Sequence, residues 1–198
     1  MKKDIKVIIS ISIIIVGIIL EISNAVINDY KKVYDERNAR SFIDSMSDNS
    51  NASINYANKK NIISNYIAVL EIPKIELRKG LFSPDSINNN VNRNITILNS
   101  QMPNEEHSTF ILASHSGTSN VSFFNKLNKL RYGDKVYVYY KGINYKYMIY
   151  DYYEEKKTGS IFIKGNGDKK TIVLTTCKPF SFNIQLVYIG CLYDIEVL

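Results

Sequence analysis

A mainly β domain with short helices, carried behind an N-terminal transmembrane helix, is the fold class this sequence predicts, and three observations lead to it. The chain is 45% hydrophobic with 15 Tyr and 8 Phe, and its aliphatic residues are rich in Ile and Val, side chains that fit a pleated, half-buried surface. From Tyr66 onward the apolar runs are short and separated by turn residues, as in small barrels and sandwiches. Ahead of them stands one uncharged run, Val7 to Leu20, broken only by Ser10, Ser12 and Gly17.

That run sets the compartment. Taken from Ile5 to Ile22, with Lys6 and Glu21 snorkelling, a helix would reach about 27 Å at roughly 1.5 Å per residue, close to the about 30 Å of a hydrocarbon core. Lys2, Lys3 and Lys6 lie at its start, so the N-terminus is expected in the cytoplasm and everything beyond Ile22 outside. A cleaved signal peptide is the rival, since Ser23-Asn24-Ala25 partly matches a small-residue cleavage site; either way the remainder is exported. A buried core helix is disfavoured, because a run apolar on every face needs a large protein around it.

The expected organisation is an anchor over 1–26, a polar stalk over 27–60 and a β domain over 61–198. The stalk is rich in Asn, Ser, Asp and Lys, with too few apolar positions for a core of its own, and reads as partly helical between Tyr30 and Met46. Strands are expected near Ile67–Ile72, Thr109–Ser114, Lys135–Tyr140, Ile143–Tyr153, Thr171–Thr176 and Leu186–Leu192, with Lys141-Gly142 turning a hairpin. Phe123, Leu127 and Leu130 suggest a short amphipathic helix stopped by Gly133-Asp134. The net charge of +6 comes from lysines scattered along the chain rather than from one stripe, so no nucleic-acid partner is expected.

Two cysteines in an exported protein raise the question of a disulfide. Cys177 ends the run Thr171 to Thr176 and precedes Lys178-Pro179, a strand end where a side chain can meet solvent. Cys191 lies inside the apolar run Leu186 to Leu192, where cysteine commonly acts as a small core residue. A disulfide, a reactive Cys177 and inert burial all stay open on position alone. His115 also stands at a strand end, after Thr109 to Ser114, whereas His107 lies in a polar loop and reads as solvated. An imidazole beside a thiol of ordinary pKa about 8.5 favours the nucleophilic thiolate, which opens acyl transfer; the developing oxyanion then needs a donor. No serine-hydrolase elbow, metal-ligand cluster, phosphate loop or CxxC motif competes.

In order along the chain, Ile67 to Ile75 with its Leu70-Glu71-Ile72-Pro73-Lys74-Ile75, Phe110 to His115, Phe124 to Leu127 with Leu130 and Gly133-Asp134, and Leu174-Thr175-Thr176-Cys177 resemble the sortase family. The resemblance spans about residues 66–192. It implies a closed eight-stranded β-barrel and recognition of an LPXTG-like sorting signal near the C-terminus of secreted proteins. Cys177 would attack the threonine carbonyl to form a thioester while His115 protonates the departing amine. A peptidoglycan-precursor amine, or a lysine of another surface protein, would resolve the thioester, with hydrolysis as a slow side path.

Two departures stand out. Ser114 precedes the histidine where glycine is common, and Gln185 occupies the place of the family's arginine, thought to bind the substrate carbonyl or oxyanion. A glutamine offers a hydrogen bond without charge, and charge-assisted bonds are roughly twice as strong. The family reading therefore gives Gln185 a weakened oxyanion-side role, with a catalytically weak or inactive domain that binds sorting peptides or cell-wall polymer as the alternative. Arg78, Arg93 and Arg131 read as solvated. No aromatic lid motif precedes the first strand and no second apolar run follows the barrel, which favours anchoring of single proteins over pilin polymerisation. The Thr175-Thr176-Cys177-Lys178-Pro179-Phe180 stretch looks closer to class D, with B-like membership left open. Glu105, Glu106, Glu154 and Glu155 are acidic loop residues of the kind some members use for calcium; they read as solvated, and no metal or cofactor is expected.

Overall fold

The structure, a computed structural model, describes residues 2–47, 65–98, 101–159, 163, 169–181 and 183–198. Two compact units divide the chain, Met1–Glu36 and Arg37–Leu198. One α-helix, α1 (Lys2–Ser47), supplies the first unit and the opening turns of the second. It includes Tyr30 to Met46; the rest of the expected stalk, 48–60, lies outside the described residues. From Ile9 to Ile22 its large apolar side chains are about half exposed or more on every face, Ile13 at 67%. The helix is long and apolar enough to cross a membrane, and an apolar surface of this extent is at home in lipid rather than water.

In the second unit the described residues form one sheet of eight strands. They are β1 (Tyr66–Ile72), β2 (Leu77–Phe82), β3 (Thr96–Ile97), β4 (Thr109–Ala113), β5 (Lys135–Tyr140), β6 (Ile143–Lys156), β7 (Thr171–Cys177) and β8 (Ile184–Val197). Their order is β2-β1-β5-β6-β8-β7-β4-β3. The two end strands approach each other, and Asn94 Nδ2 donates to the Gly80 carbonyl at 2.8 Å across the gap, so the sheet curls into a nearly closed barrel. Leu70, Ile72, Phe110, Leu112, Leu127, Val138, Tyr147, Ile172 and Leu174 fill its interior. A smaller apolar cluster, Val173, Val187 and Ile189 with Ile111, Tyr150, Tyr153 and Ile163 against it, covers the outer face of β4, β7, β8 and β6.

The six expected strands are present, and β8 runs on to Val197. Two further strands carry weak sequence signals. β2 follows a 3-10 turn at Pro73–Ile75 and contains Arg78, Lys79 and Gly80, which spoil any alternation. Cross-strand chemistry accommodates them: Arg78 makes a two-point contact with Glu71, its register partner on β1, at 2.6 and 3.1 Å, and buried Lys79 places its ammonium 4.4 Å from the Phe123 ring centroid. Arg78 is therefore a half-buried member of a β1–β2 ion pair rather than a solvated residue. The expected amphipathic helix is instead a succession of turns ending in the 3-10 segment Leu127–Lys129. Its buried residues Phe124, Leu127 and Leu130 recur every third position, the period of a 3-10 helix, and the bonds Leu127 N to Phe124 O and Leu130 N to Leu127 O close over three residues.

Within the second unit the end of α1 is tied to the barrel. Asn38 and Ala39 are buried, the Gly142 N–H donates to Met46 Sδ at 3.4 Å, and the Phe42 and Phe82 rings flank Tyr66 edge-on at 6.1 and 5.0 Å. The Tyr66 ring lies over Gly80, where a Cβ would collide with it. Gly80→Ala is expected to displace that ring and cost about 1–3 kcal/mol, read as a lowered midpoint in thermal or urea unfolding; an unchanged midpoint would show that the aromatic stack can shift freely.

Burial and the Glu71 carboxylate, which accepts from Tyr139 Oη at 3.1 Å, push the Tyr139 phenol up to about 12. Burial likewise raises Tyr145, Tyr147, Tyr150 and Tyr188. A raised phenol holds its proton more tightly when folded, so its contribution to stability is complete below the unfolded value near 10 and is lost as pH rises toward about 12. Melting temperatures should fall steeply above pH about 10, and less so in Tyr139→Phe; parallel curves for the two proteins would remove Tyr139 from this effect.

Candidate active site

The pairing of β4 with β7 is the one parallel pairing among the described strands, with Ile111 beside Val173 and Ala113 beside Thr175. Because the two strands point the same way, their C-terminal ends emerge at the same rim. The pairing continues past β4, with Ser114 N donating to Thr175 O at 3.3 Å and Thr176 Oγ1 donating to Ser114 O at 2.7 Å. Cys177 follows Thr175 by two residues and His115 follows Ala113 by two, so both stand one step beyond the last paired residues. The Phe124 N–H caps the His115 carbonyl at 3.1 Å, which ties the histidine's backbone to the turn segment.

Strand alternation settles which side of the sheet Cys177 faces. Ile172 and Leu174 on β7 face the interior, whereas Val173 belongs to the outer cluster; Phe110 and Leu112 on β4 face inward and Ile111 outward. Cys177 falls on the outward parity. On β8, Leu186 and Tyr188 face inward while Val187 and Ile189 face outward, so Gln185 is outward as well and is the register partner of Cys177. Cys177 and Gln185 thus share the outward face at one rim, His115 follows the end of β4 at the same rim, and Cys177 and His115 are each partly accessible.

The surroundings of each differ in charge. His115 Nε2 lies 3.1 Å from Asn92 Oδ1, an oxygen that accepts when Nε2 carries the hydrogen. Gln185 Nε2 donates to Glu155 Oε1 at 2.6 Å, and Glu155 is its register partner on β6. Glu154 accepts from Lys178 Nζ at 2.7 Å. Cys177 Sγ has an ammonium beside it, Lys157 Nζ at 3.6 Å. Phe180, in the turn after the cysteine, is fully exposed with a left-handed backbone, φ 61°. Arg131 Nη1 donates to the carbonyls of Asn128 and Leu130, and Arg93 Nη1 contacts Asn88 Oδ1 at 3.4 Å. Exposed His107 lies in a loop beside Glu106.

Lys157, Asn92 and Phe180 escape a reading of the sequence alone. Asn92 sits among near-identical loop asparagines, and Lys157 is one of many lysines. Lys157 becomes legible only once Tyr153 is known to face outward, because Glu155 and Lys157 then share its parity.

Both cysteines are free thiols. Cys191 pairs with Thr171, at the opposite end of β7 from Cys177, a separation of about 20 Å at roughly 3.3 Å per residue, far beyond the about 7 Å limit for a disulfide.

The sortase-domain family model matches residues 70–189, well over half of the 198-residue chain, and the chain belongs to the sortase family. No curated protein sequence matches it. Among solved structures, sortase A of Listeria monocytogenes is 21% identical with a TM-score of 0.57, over 68% of this chain and 91% of that one. Sortase E1 of Streptomyces coelicolor, solved with a tripeptide in its active site, is 22% identical with a TM-score of 0.56, over 67% and 91%. A sortase D5 transpeptidase of Clostridium perfringens is 20% identical with a TM-score of 0.59, over 81% and 98%. At these identities the likeness is one of fold.

Denatured protein prepared without reductant should titrate two thiols per chain with a chromogenic disulfide reagent, and added reductant should not change the count. A count of zero would mean a cystine and would remove Cys177 as a candidate nucleophile.

Proposed function

We propose that the protein is a cysteine transpeptidase that cleaves an LPXTG-like sorting signal through a Cys177 thioester and passes the acyl chain to a cell-wall amine. The observation that carries this reading is the placement of Cys177, His115 and Gln185 at one rim, formed by β4, β7 and β8. The Cys177 thiolate attacks the carbonyl carbon of the scissile bond, forming a C–S bond and a tetrahedral oxyanion toward which Gln185 offers its amide. As the C–N bond breaks, the protonated His115 gives its proton to the leaving amine. A peptidoglycan-precursor amine, or a lysine on a surface protein, then attacks the thioester; the new C–N bond forms, the C–S bond breaks, and the amine's proton returns to His115. Asn92 would hold the imidazole ring during both transfers.

The N-terminal helix supports single-pass anchoring, with Lys2, Lys3 and Lys6 on the cytoplasmic side and the barrel outside, where sorting substrates and wall precursors meet it. The neutral Gln185 favours the other reading in one respect, since a barrel without the arginine could bind sorting peptides without turning them over.

Mass spectrometry of the full chain in detergent, incubated with a panel of LPXTG-like peptides and an amine acceptor, separates the two. An acyl adduct on Cys177 that is absent in Cys177→Ala and formed at least about 100-fold more slowly in His115→Ala is the expected result. No adduct from any peptide would leave the binding-only reading. Gln185→Arg should speed acylation; an unchanged or lower rate would deny Gln185 the oxyanion-side role.

A further inference from the structure

In the site just described, the residue opposite the nucleophile carries no charge, and its amide is donated to a carboxylate: Gln185, paired with Cys177, gives Nε2 to Glu155 at 2.6 Å. The charge next to the sulfur comes from elsewhere. Lys157 follows the last residue of β6, and its N–H donates to the Asn183 carbonyl at 2.8 Å, which extends the β6–β8 pairing by a step and fixes where its side chain starts. Tyr153 belongs to the outer apolar cluster and Lys157 lies four residues on with the same parity, so its stem runs over the same face as Cys177. Its ammonium ends 3.6 Å from Sγ. His115, bonded to Asn92 at 3.1 Å, is the acid/base group of the proposed reaction; of the other cations, Lys178 holds Glu154 at 2.7 Å, Arg131 caps backbone carbonyls, and Arg78 is paired with Glu71.

We propose that Lys157 is an electrostatic partner of Cys177: from just past the end of β6, two strands away, its ammonium stabilises the thiolate, and so supplies a positive charge that β8 lacks at Gln185. The proposal rests on Cys177 being the nucleophile of the transpeptidase reading. An ammonium this close to the sulfur attracts negative charge on it, and the attraction is modest in a largely solvated setting. Salt weakens such an exposed pair. A lysine suits this position because its charge is compact and its stem can follow the surface. The interaction acts on the sulfur before any peptide arrives, so it can be measured without a substrate.

The test uses the full chain in detergent and follows carbamidomethylation of Cys177 by iodoacetamide, quantified on the Cys177 peptide between pH 5.5 and 9. Lys157→Met, which keeps the stem and removes the charge, should slow the reaction about five-fold at neutral pH and move the rate profile to higher pH. Lys157→Arg should restore most of the rate. Raising salt to about 0.5 M should shrink the difference between wild type and Lys157→Met. Gln185→Arg in the Lys157→Met background should recover reactivity by returning a cation from the other side. An unchanged profile in Lys157→Met overturns the proposal, as does equal slowing by Met and Arg, which would mark a packing role. The same preparations given sorting peptides report separately on the parent reading. Lys157-dependent alkylation with no acyl-enzyme in the wild type leaves the pair standing and removes the transpeptidase, whereas acylation with Lys157-independent alkylation does the reverse.

Discussion

The parallel pairing of β4 with β7 is the constraint on which the candidate site depends. In a sheet otherwise built from antiparallel neighbours among the described strands, one parallel pair brings the ends of two segments remote in sequence to the same rim. Antiparallel strands there would have sent His115 and Cys177 to opposite ends of the barrel. The pairing is fastened where it matters: Thr176 Oγ1 donates to the Ser114 carbonyl and the Ser114 N–H donates to the Thr175 carbonyl, immediately before the cysteine and the histidine. Both Ser114 and Thr176 are buried, so these bonds are shielded from water, and breaking either would leave a desolvated polar group. Ser114, which stands where the family commonly has glycine, also donates to the Val121 carbonyl at 3.4 Å and so ties the histidine loop to the turn that follows.

The second requirement is that the outer face of the sheet differ from its inner face. Inside, β7 contributes Ile172 and Leu174 to a continuous core. Outside, it contributes Val173 to a small cluster and then, toward the rim, Thr175 and Cys177. The same passage from apolar to polar occurs on β8 from Ile189 and Val187 to Gln185, and on β6 from Tyr153 to Glu155 and Lys157. The outer cluster is itself covered, with Val173, Val187 and Ile189 fully buried, so the accessible polar and thiol groups of this face begin only at the rim beyond it.

Much of this was legible in the sequence, for identifiable reasons. The runs Thr109 to Ala113 and Thr171 to Cys177 are apolar, β-branched and bounded by polar loops, so their strand character and the strand-end placement of His115 and Cys177 could be read directly. The Lys141-Gly142 turn was equally plain, and both residues adopt the positive φ such a hairpin needs. β2 was hidden because Arg78, Lys79 and Gly80 solve their burial through partners on other strands, Glu71, Phe123 and Tyr66, that no local window contains. Phe123, Leu127 and Leu130 suggest an amphipathic helix where the chain forms turns and a 3-10 segment, because apolar spacings of three and four are hard to separate over so few residues. Strand order and the parallel pairing are non-local and leave no local trace; only the ordered family motifs pointed to them.

The electrostatics of the rim follow from that topology. Glu155, Gln185 and Cys177 form a row across β6, β8 and β7, with the Gln185 amide bonded to the Glu155 carboxylate at 2.6 Å. Lys157 Nζ stands 3.6 Å from the sulfur. Coulomb energy falls with distance and is screened by salt, so an exposed ammonium acts on the sulfur through a close approach of this kind. The Gln185 amide in the row has a second consequence. An arginine in its place would meet Glu155 across the strand and be held in a charged pair, its guanidinium fixed beside the cysteine. With glutamine the row carries less charge at its centre, and the ammonium beside Cys177 comes from the end of β6.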